Sequence, residues 1–232
     1  MSIDPRQLPL DPGFDQRSVR GEALTAGQLT PAAVRRRFEH PGAWTPELRS
    51  DARLLADPSQ PWVPAAVLVP LIRRDEHLDV LLTHRAGNLP THPGQISFPG
   101  GRVEPSDGGA VDAALREAQE ETGLSSARIE ILGSLPDYRT VSGFEVTAVV
   151  GMIAAPIALK LDASEVEDAF VVPLSFLMDP RNHQRRVVSL HAENRFVYTM
   201  PYDDGSGERL IWGATAAIVR NLYAFLRGGK SG

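Results

Sequence analysis

Length, composition and charge limit the classes of protein to which this chain can belong: its 232 residues suffice for one generous domain, or for one domain with an extension, and not for two full domains. A hydrophobic share of 42%, without any run near the roughly 20 apolar residues of a membrane span, predicts a globular protein with no membrane partner. The net charge of −5 without a basic block argues against a nucleic-acid partner, and the lack of cysteine and of a signal-peptide pattern predicts a cytoplasmic protein.

Residues 1–60 are rich in Pro, Asp and Arg and are interpreted as an amino-terminal arm with one helix. That helix is predicted in LTPAAVRRRFEH, where Thr30 can cap the first turn and Pro31 can occupy it. Two roles for the arm stay open, namely contacts in a homodimer and a cover over a substrate cleft. A folded domain is predicted for residues 61–228, followed by a disordered tail at 229–232.

The part of the chain after residue 60 predicts strands of a sheet with a central and a terminal helix. WVPAAVLVPLI and LDVLLTHR are predicted to form a hairpin around RRDEH, and ALREAQEETG a helix that ends at Gly123. The other predicted elements are strands in RIEILGSLPD, FEVTAVVGMIA, AFVVPLSFL, RRVVSL, RFVYTMPY and RLIW, and a final helix in ATAAIVRNLYAFLR. This mixture predicts an α/β or α+β sandwich.

The central helix carries an acidic run that has two interpretations. Spacings of three and four residues place Glu117, Glu120 and Glu121 side by side, and they can form a solvated face that Arg116 partly neutralises. The alternative is a site for a hard divalent cation, because Mg²⁺ and Mn²⁺ prefer oxygen ligands and often share them with substrate phosphates. The preceding FPGGR supplies a glycine loop whose backbone can approach a ligand closely. Loop and helix are therefore predicted to act as one unit.

The segment GGRVEPSDGGAVDAALREAQEETGL resembles the Nudix box, a glycine loop and helix written G-x5-E-x7-R-E-U-x-E-E-x-G-U with U a bulky apolar residue. Its second half matches at Arg116, Glu117, Ala118, Glu120, Glu121, Gly123 and Leu124. In the first half, counted from Gly101, Asp107 fills the acidic position, and one extra residue precedes Arg116. This resemblance to the Nudix hydrolase family implies a Nudix-type α/β/α sandwich with a mixed central sheet.

The segment just upstream, LLTHRAGNLPTHPGQISFPGG, resembles the coenzyme A diphosphatase branch of that family. In that branch an LLT-x-R strand leads through a Leu-Arg loop and H-x-GQ into FPGG. The longer acidic spacing and the stretch LIWGATAAIVRNL are also similar to that branch. One departure is Pro90, which stands where the branch commonly has Arg and removes a cation that could hold a substrate phosphate.

The resemblance implies hydrolysis of a diphosphate bond with Mg²⁺ or Mn²⁺ as the cofactor. The implied metal ligands are Glu117, Glu120, Glu121 and the backbone of Gly101, with Arg116 orienting the carboxylates. The general base stays open between the helix, at Glu117 or Glu120, and the later loop DASEVEDAFVVPL, at Glu165 or Glu167. A second interpretation of that loop, which includes Asp168, is a polar cap on the following strand.

Four residues before the helix are candidates for substrate binding: Arg85, His92, Gly100 and Gly101. Arg85 can contact a phosphate or form an ordinary salt bridge, and His92 can bind a phosphate or serve as a structural loop residue. Phe98 and Pro99 are expected to brace the glycine loop.

The expected reaction splits coenzyme A or an acyl derivative into 3′,5′-ADP and (acyl-)4′-phosphopantetheine. Because of Pro90, another nucleoside diphosphate compound, such as ADP-ribose or a dinucleotide, stays an alternative substrate. A Nudix-fold binding module without catalysis is the third hypothesis, which the retained carboxylates disfavour. The sequence leaves the acyl preference and the identity of the metal open.

Overall fold

The structure, a computed structural model of the chain, describes residues 4–15, 21–50, 61–89, 92–190 and 193–228. Pro90 and the predicted tail lie outside these residues. Within the described ranges, no helix has the length and apolar character needed to cross a bilayer. The division of the chain into arm, domain and tail, and its cytoplasmic location, stay predictions.

The first two long strands form the predicted hairpin. Strand β1 (Val63–Arg74) pairs antiparallel with β2 (His77–Arg85), and Arg74 lies opposite His77. The two-residue turn between them includes Asp75 at a φ of 51°, a left-handed conformation that Asp tolerates better than most residues. The polar turn sequence therefore determines where this hairpin folds back.

In the part of the chain that is described, the hairpin belongs to an eight-stranded mixed sheet. The other strands are β3 (Ile96–Ser97), β4 (Gly100–Arg102), β5 (Ile129–Ser134), β6 (Tyr138–Arg139), β7 (Phe144–Ala154) and β8 (Val166–Pro173). The order is β3-β2-β1-β7-β5, with β4 pairing β1, β6 pairing β7 and β8 pairing β2. Strands β1 and β7 run parallel, whereas the other pairs are antiparallel.

Helices cover both faces of this sheet. They are α1 (Pro31–Glu39), α2 (Ala110–Thr122), α3 (Leu174–Leu177) and α4 (Gly213–Arg227). Small residues of α2, including Ala114 and Ala118, pack on Leu68, whereas Val69 belongs to the core cluster that contains Leu222 of α4. Successive side chains of β1 thus enter opposite cores, because strand side chains alternate between faces. The expected α/β/α sandwich with a mixed central sheet is confirmed.

The ends of the helices follow their local sequence signals. Thr30 caps α1, where its hydroxyl accepts a hydrogen bond from the Ala33 amide at 3.2 Å. Helix α2 ends at Gly123, which has a φ of 73° in the left-handed region that favours glycine. Both predicted helix boundaries are confirmed.

The strand predicted in AFVVPLSFL differs from the structure at both ends. Strand β8 begins at Val166, because that buried residue continues the antiparallel ladder as far as Arg85 of β2. It ends at Pro173, which has no amide hydrogen to donate. The next four residues, LSFL, form α3 instead of continuing the strand.

A smaller antiparallel sheet, three-stranded within the described residues, follows the main one. Its strands are β9 (Gln184–Leu190), β10 (Glu193–Asp203) and β11 (Glu208–Trp212), in the order β11-β10-β9. The amino-terminal segment runs along β9, where the Val187 amide donates to the Pro9 carbonyl at 2.9 Å and the Asp11 amide donates to the Arg185 carbonyl at 2.7 Å. Phe14 of the same segment is buried in the main core.

Candidate active site

The glycine pair brings backbone and carboxylates together beside the second half of the acidic helix. Gly100 and Gly101 lie in β4, opposite Val67 and Ala66 of β1. A Cβ atom on Gly101 would lie 2.4 Å from Glu117 Oε1, and one on Gly100 would lie 2.4 Å from the Ala66 carbonyl oxygen. Glycine, which has no Cβ atom, avoids both of these close contacts.

Glu121 is the most enclosed carboxylate of the helix, with only 2% of its surface exposed. The Gly100 amide donates to its Oε2 at 3.2 Å, and Arg85 Nη1 lies 3.5 Å from its Oε1. Burial raises the pKa of Glu121 to about 8, although the charge of Arg85 and the Gly100 amide oppose the shift. Arg85 therefore forms the salt bridge that was one of its two predicted roles.

Glu117 lies beside Glu121 and shares its electrostatic environment. Burial raises the pKa of Glu117 against the effect of Arg116, and the charges of Glu120 and Glu165 raise it further. The charge of Glu165 also acts on Glu121. The backbone holds Glu165 in this position, because its carbonyl oxygen accepts from the Ala86 amide at 2.9 Å, next to Arg85. The charge of the loop glutamate thus reaches two helix glutamates.

Arg116 organises the acidic groups through several hydrogen bonds. Its Nε and Nη2 donate to the two carboxylate oxygens of Asp107, each at 3.0 Å. Its Nη1 donates to Glu117 at 2.9 Å and to Glu120 at 3.0 Å. Hydrogen bonding to Asp107 raises the pKa of Arg116, and the same contact lowers the pKa of Asp107. Asp107 therefore anchors the guanidinium that the sequence predicts to orient the carboxylates.

Glu120 differs from its two neighbours on the helix. Its side chain is 60% exposed and bonds to Arg116, whereas Glu117 and Glu121 lie against the glycine pair. Among the described residues, no three His, Cys, Asp or Glu side chains form a ready metal-binding group. The positions explain this result, because Arg116 holds Glu117 and Glu120 while Glu121 turns inward.

The types of ligand atom at this site nevertheless suit a divalent metal ion. Mg²⁺ and Mn²⁺ prefer carboxylate and carbonyl oxygens, which Glu117, Glu121 and the backbone of Gly101 offer in one place. The charge of Glu165 helps to raise the pKa of Glu117 and of Glu121, and a cation would relieve that repulsion. At Gly101, a space that a Cβ would fill lies next to Glu117.

Glu167 and Asp168 of the later loop lie beside basic side chains at the surface. Glu167 Oε2 is 3.7 Å from His84 Nδ1, and its side chain is 62% exposed. Asp168 Oδ2 is 2.8 Å from Arg209 Nη2. The polar-cap interpretation therefore describes Glu167 and Asp168, whereas Glu165 lies near the helix carboxylates.

A cleft of about 630 Å³ opens beside the glycine pair and is lined by Arg85, His92 and Gly101 as well as by apolar side chains. His92 has a φ of 54°, and its Nε2 lies 3.2 Å from Ser142 Oγ across the cleft. Burial and the charge of Arg85 lower the pKa of His92. Phe98 is buried, and the Pro99 carbonyl accepts from the Leu68 amide at 2.9 Å. This part of the cleft unites the four substrate-binding candidates.

Sequence reasoning missed other parts of this cleft. Ser142 lies in a turn that resembles any polar turn, so its contact with His92 had no signal in the sequence. Leu48 comes from the predicted arm, and Phe196 and Trp212 come from the smaller sheet. They meet only through long-range packing. The role of Asp107 had a signal, namely its place at the acidic position of the glycine loop.

Comparisons with known proteins identify the family of the chain. Residues 62–191 match the NUDIX domain. An uncharacterized Nudix hydrolase NudL of Enterobacter sp. (strain 638) is 38% identical over 158 residues, which are 68% of this chain and 80% of that protein. The NudL protein of Escherichia coli (strain K12) is 35% identical over the same shares.

Among solved structures, a MutT/nudix family protein from Enterococcus faecalis is 20% identical, covers 85% of this chain and 74% of its own, and has a TM-score of 0.46. RenU, a Nudix hydrolase from M. smegmatis, is 20% identical over 53% of this chain and 80% of its own, with a TM-score of 0.44. The domain match and the NudL relatives show that the chain belongs to the Nudix family and is a Nudix hydrolase, an enzyme of the class that acts on nucleoside diphosphate derivatives and generally uses divalent metal ions.

Proposed function

We propose that this Nudix hydrolase splits the diphosphate bond of coenzyme A or an acyl derivative into 3′,5′-ADP and (acyl-)4′-phosphopantetheine in the cytoplasm. The observation that carries the proposal is the segment LLTHRAGNLPTHPGQISFPGG, which resembles the coenzyme A diphosphatase branch. In support, Arg85, His92 and the glycine pair of this segment line one cleft, next to Glu117 and Glu121.

The acidic cluster would hold Mg²⁺ or Mn²⁺ through Glu117, Glu121 and the Gly101 carbonyl, with Glu120 as a further ligand. A bound divalent ion would neutralise phosphate oxygens and make water a better nucleophile near neutral pH. Arg116, fixed by Asp107, would hold the Glu117 and Glu120 carboxylates in place.

Glu165 is the residue that we propose as the general base. Glu117 and Glu120 both accept hydrogen bonds from Arg116, so carboxylate oxygens of both are already engaged with a guanidinium. Glu165 lies outside those hydrogen bonds and close enough for its charge to act on Glu117 and Glu121. It can therefore take a proton from a water molecule that attacks phosphorus in the same place.

Arg85 and His92 are proposed to contact the substrate diphosphate. Arg85 is already close to Glu121, and a ligand phosphate in the cleft would be a second anion within the range of its charge. Pro90 in place of the Arg that is common in the branch favours a second candidate, hydrolysis of ADP-ribose or a dinucleotide.

Product analysis and rate comparison test the substrate. We expect the purified enzyme to convert coenzyme A to 3′,5′-ADP and 4′-phosphopantetheine when Mg²⁺ or Mn²⁺ is present, with a higher kcat/KM for coenzyme A than for ADP-ribose or a dinucleotide. Chromatography with mass detection identifies the bond that is cleaved. Equal or reversed preference would reject coenzyme A and leave the second candidate.

A further inference from the structure

One side of the cleft comes from outside the matched NUDIX domain. Residues 47–50, here named the strap, precede the match at residues 62–191, and their Leu48 lines the cleft. Phe196 and Trp212 of the smaller sheet line it as well, and Phe196 is 48% exposed although it is large and apolar. The strap and the smaller sheet thus offer apolar surface that diphosphate chemistry does not require.

Helix α4 holds the strap in place. The Leu48 amide donates to Asn221 Oδ1 at 2.9 Å, and Asn221 Nδ2 donates to the Leu48 carbonyl at 2.7 Å. The adjacent Arg220, only 1% exposed, donates from Nε to Glu47 Oε2 at 2.9 Å. At the other end of the strap, Ser50 Oγ donates to the Arg139 carbonyl at 3.1 Å. The strap is therefore fixed at both ends.

We propose that the strap is a wall of the substrate site that binds an apolar acyl arm of the substrate, that Leu48 determines the accepted chain length, and that Asn221 is a positioning residue. The inference rests on the proposed function, because the acyl arm would enter from a diphosphate bound beside the glycine pair. One continuous cleft joins Gly101 to Leu48, and its volume of about 630 Å³ lies in the usual range for small-molecule sites.

The charge distribution favours an acyl arm over the phosphorylated nucleoside at this wall. A nucleoside that carries a 3′-phosphate needs cations, and Arg85 and Arg102 lie on the main-sheet side, close to Glu121 and over the Phe144 ring respectively. The smaller sheet adds Arg195 to the lining of the cleft. Binding of the phosphorylated nucleoside beside Arg195 is therefore the competing outcome of the test. Contact with Leu48 and its apolar neighbours would stabilise a bound hydrocarbon chain more than a charged group. The favourable free energy of such binding grows with the apolar area that is removed from water.

The test compares kcat/KM for free, acetyl-, butyryl- and octanoyl-coenzyme A in the full-length enzyme. We expect kcat/KM to rise with chain length, by at most about fourfold for each methylene that becomes fully buried. Leu48→Trp should fill the wall and lower the octanoyl-to-free ratio of kcat/KM by at least about tenfold. Leu48→Ala should shift the preferred chain toward greater length.

Val111→Trp is the matched control, because Val111 is also a partly exposed apolar residue, at 37%, but lies on the first turn of α2 outside the cleft lining. Its octanoyl-to-free ratio should equal that of the wild type. Asn221→Ala should raise KM for octanoyl-coenzyme A while kcat holds, since the carboxylate cluster is untouched. A mere loss of folded protein would lower kcat for all substrates together.

The outcomes separate this inference from the proposed function. If the wild type cleaves free and octanoyl-coenzyme A with equal kcat/KM, or if both Leu48 variants keep the wild-type ratio, the acyl wall is rejected and the proposed function stands. The acyl wall is also rejected, and the proposed function stands, if kcat/KM falls as the acyl chain becomes longer. That result would indicate that the nucleoside half of the substrate binds at the strap. If no coenzyme A derivative is cleaved at the diphosphate, both are rejected.

Discussion

The strap and the glycine pair that contacts the acidic helix line the same cleft, yet the residues that fix them come from very different distances along the chain. Gly100 and Glu121 are 21 residues apart, and one loop followed by one helix brings them together. Leu48 and Asn221 are 173 residues apart and meet only when the arm, both sheets and α4 have assembled. The contact between the glycine pair and the helix carboxylates thus depends on a local unit, whereas the shape of the cleft depends on the whole fold.

Removal of one carboxylate from the local unit should have the largest effect. We expect Glu121→Gln to lower kcat by more than about 100-fold, because even the loss of an outer partner of a metal ligand costs 10–100-fold. Steady-state hydrolysis with Mg²⁺ measures this. Unchanged activity in a folded Glu121→Gln protein would show that the site is assigned wrongly.

Loss of the anchor of Arg116 should have a smaller effect on the same unit. Asp107→Asn removes the charge from the paired hydrogen bonds with Arg116, and we expect activity to fall by about 10–100-fold at limiting metal. Asp112→Asn is the control, since Asp112 is exposed on the same helix and, among the residues that the structure describes, accepts from the Gly108 amide alone. It should change activity by no more than about twofold. Equal effects of both changes would reject the anchoring role.

Glu121 should also make the metal-free protein less stable as the pH rises. Its folded pKa of about 8 lies above its ordinary value of 4.5, so the folded state binds more protons between these values and stability falls as pH rises through that window. Glu121→Gln removes the titrating carboxyl group and with it this loss of stability. We expect its Tm to exceed that of the wild type at pH 8, by roughly 2–4 °C for each kcal/mol regained, with a gap that closes toward pH 5.

Thermal unfolding with a chelator present checks this prediction, and added Mg²⁺ should raise the Tm of the wild type more than that of Glu121→Gln. A wild-type Tm that does not fall relative to Glu121→Gln between pH 5 and pH 8 would contradict the raised pKa.

The support of the strap should respond to acid instead. His183 accepts from Arg220 at Nδ1, 3.0 Å away, and its Nε2 lies 2.8 Å from the Leu177 carbonyl, so the buried ring is neutral. Burial, aided by the charge of Arg220, lowers the pKa of His183 to about 3 from 6.5. The unfolded state therefore binds more protons within that window, and stability falls as pH drops below 6.5.

His183→Gln should reduce the slope of the free energy of unfolding against pH, by at most about 1.4 kcal/mol per pH unit. Urea unfolding at pH 7, 6 and 5 measures the slope, which separates titration from any constant packing loss. If the two regions are independent, His183→Gln should change the slope by the same amount in the wild type and in the Glu121→Gln protein. An unchanged slope in His183→Gln would show that another group causes the acid loss.

The same contrast between near and distant partners decides what the sequence could predict. The β1–β2 hairpin and the end of α2 at Gly123 were predictable because a polar turn and a glycine give local signals. The acidic cluster was predictable because its residues share one motif. Strands as short as Ile96–Ser97 and Tyr138–Arg139 have no periodicity to detect, and pairing with longer strands creates them.

Two details of the site also lay beyond the sequence. The spacing makes Glu120 and Glu121 equivalent candidates, and only the packing of α2 shows that one is exposed and the other enclosed. The arm kept two open roles because nothing in GAWTPELRS indicates Asn221 as the partner of its backbone.

Helix α4 has a consequence for synthesis of the protein. A chain emerges from the ribosome amino terminus first, so the strap, the glycine pair and the acidic helix all exist before residues 220 and 221 are made. Until then Leu48 lacks the amide side chain that holds its backbone on both sides. The backbone of the strap would therefore be held in place only after the carboxyl-terminal part of the chain has been made.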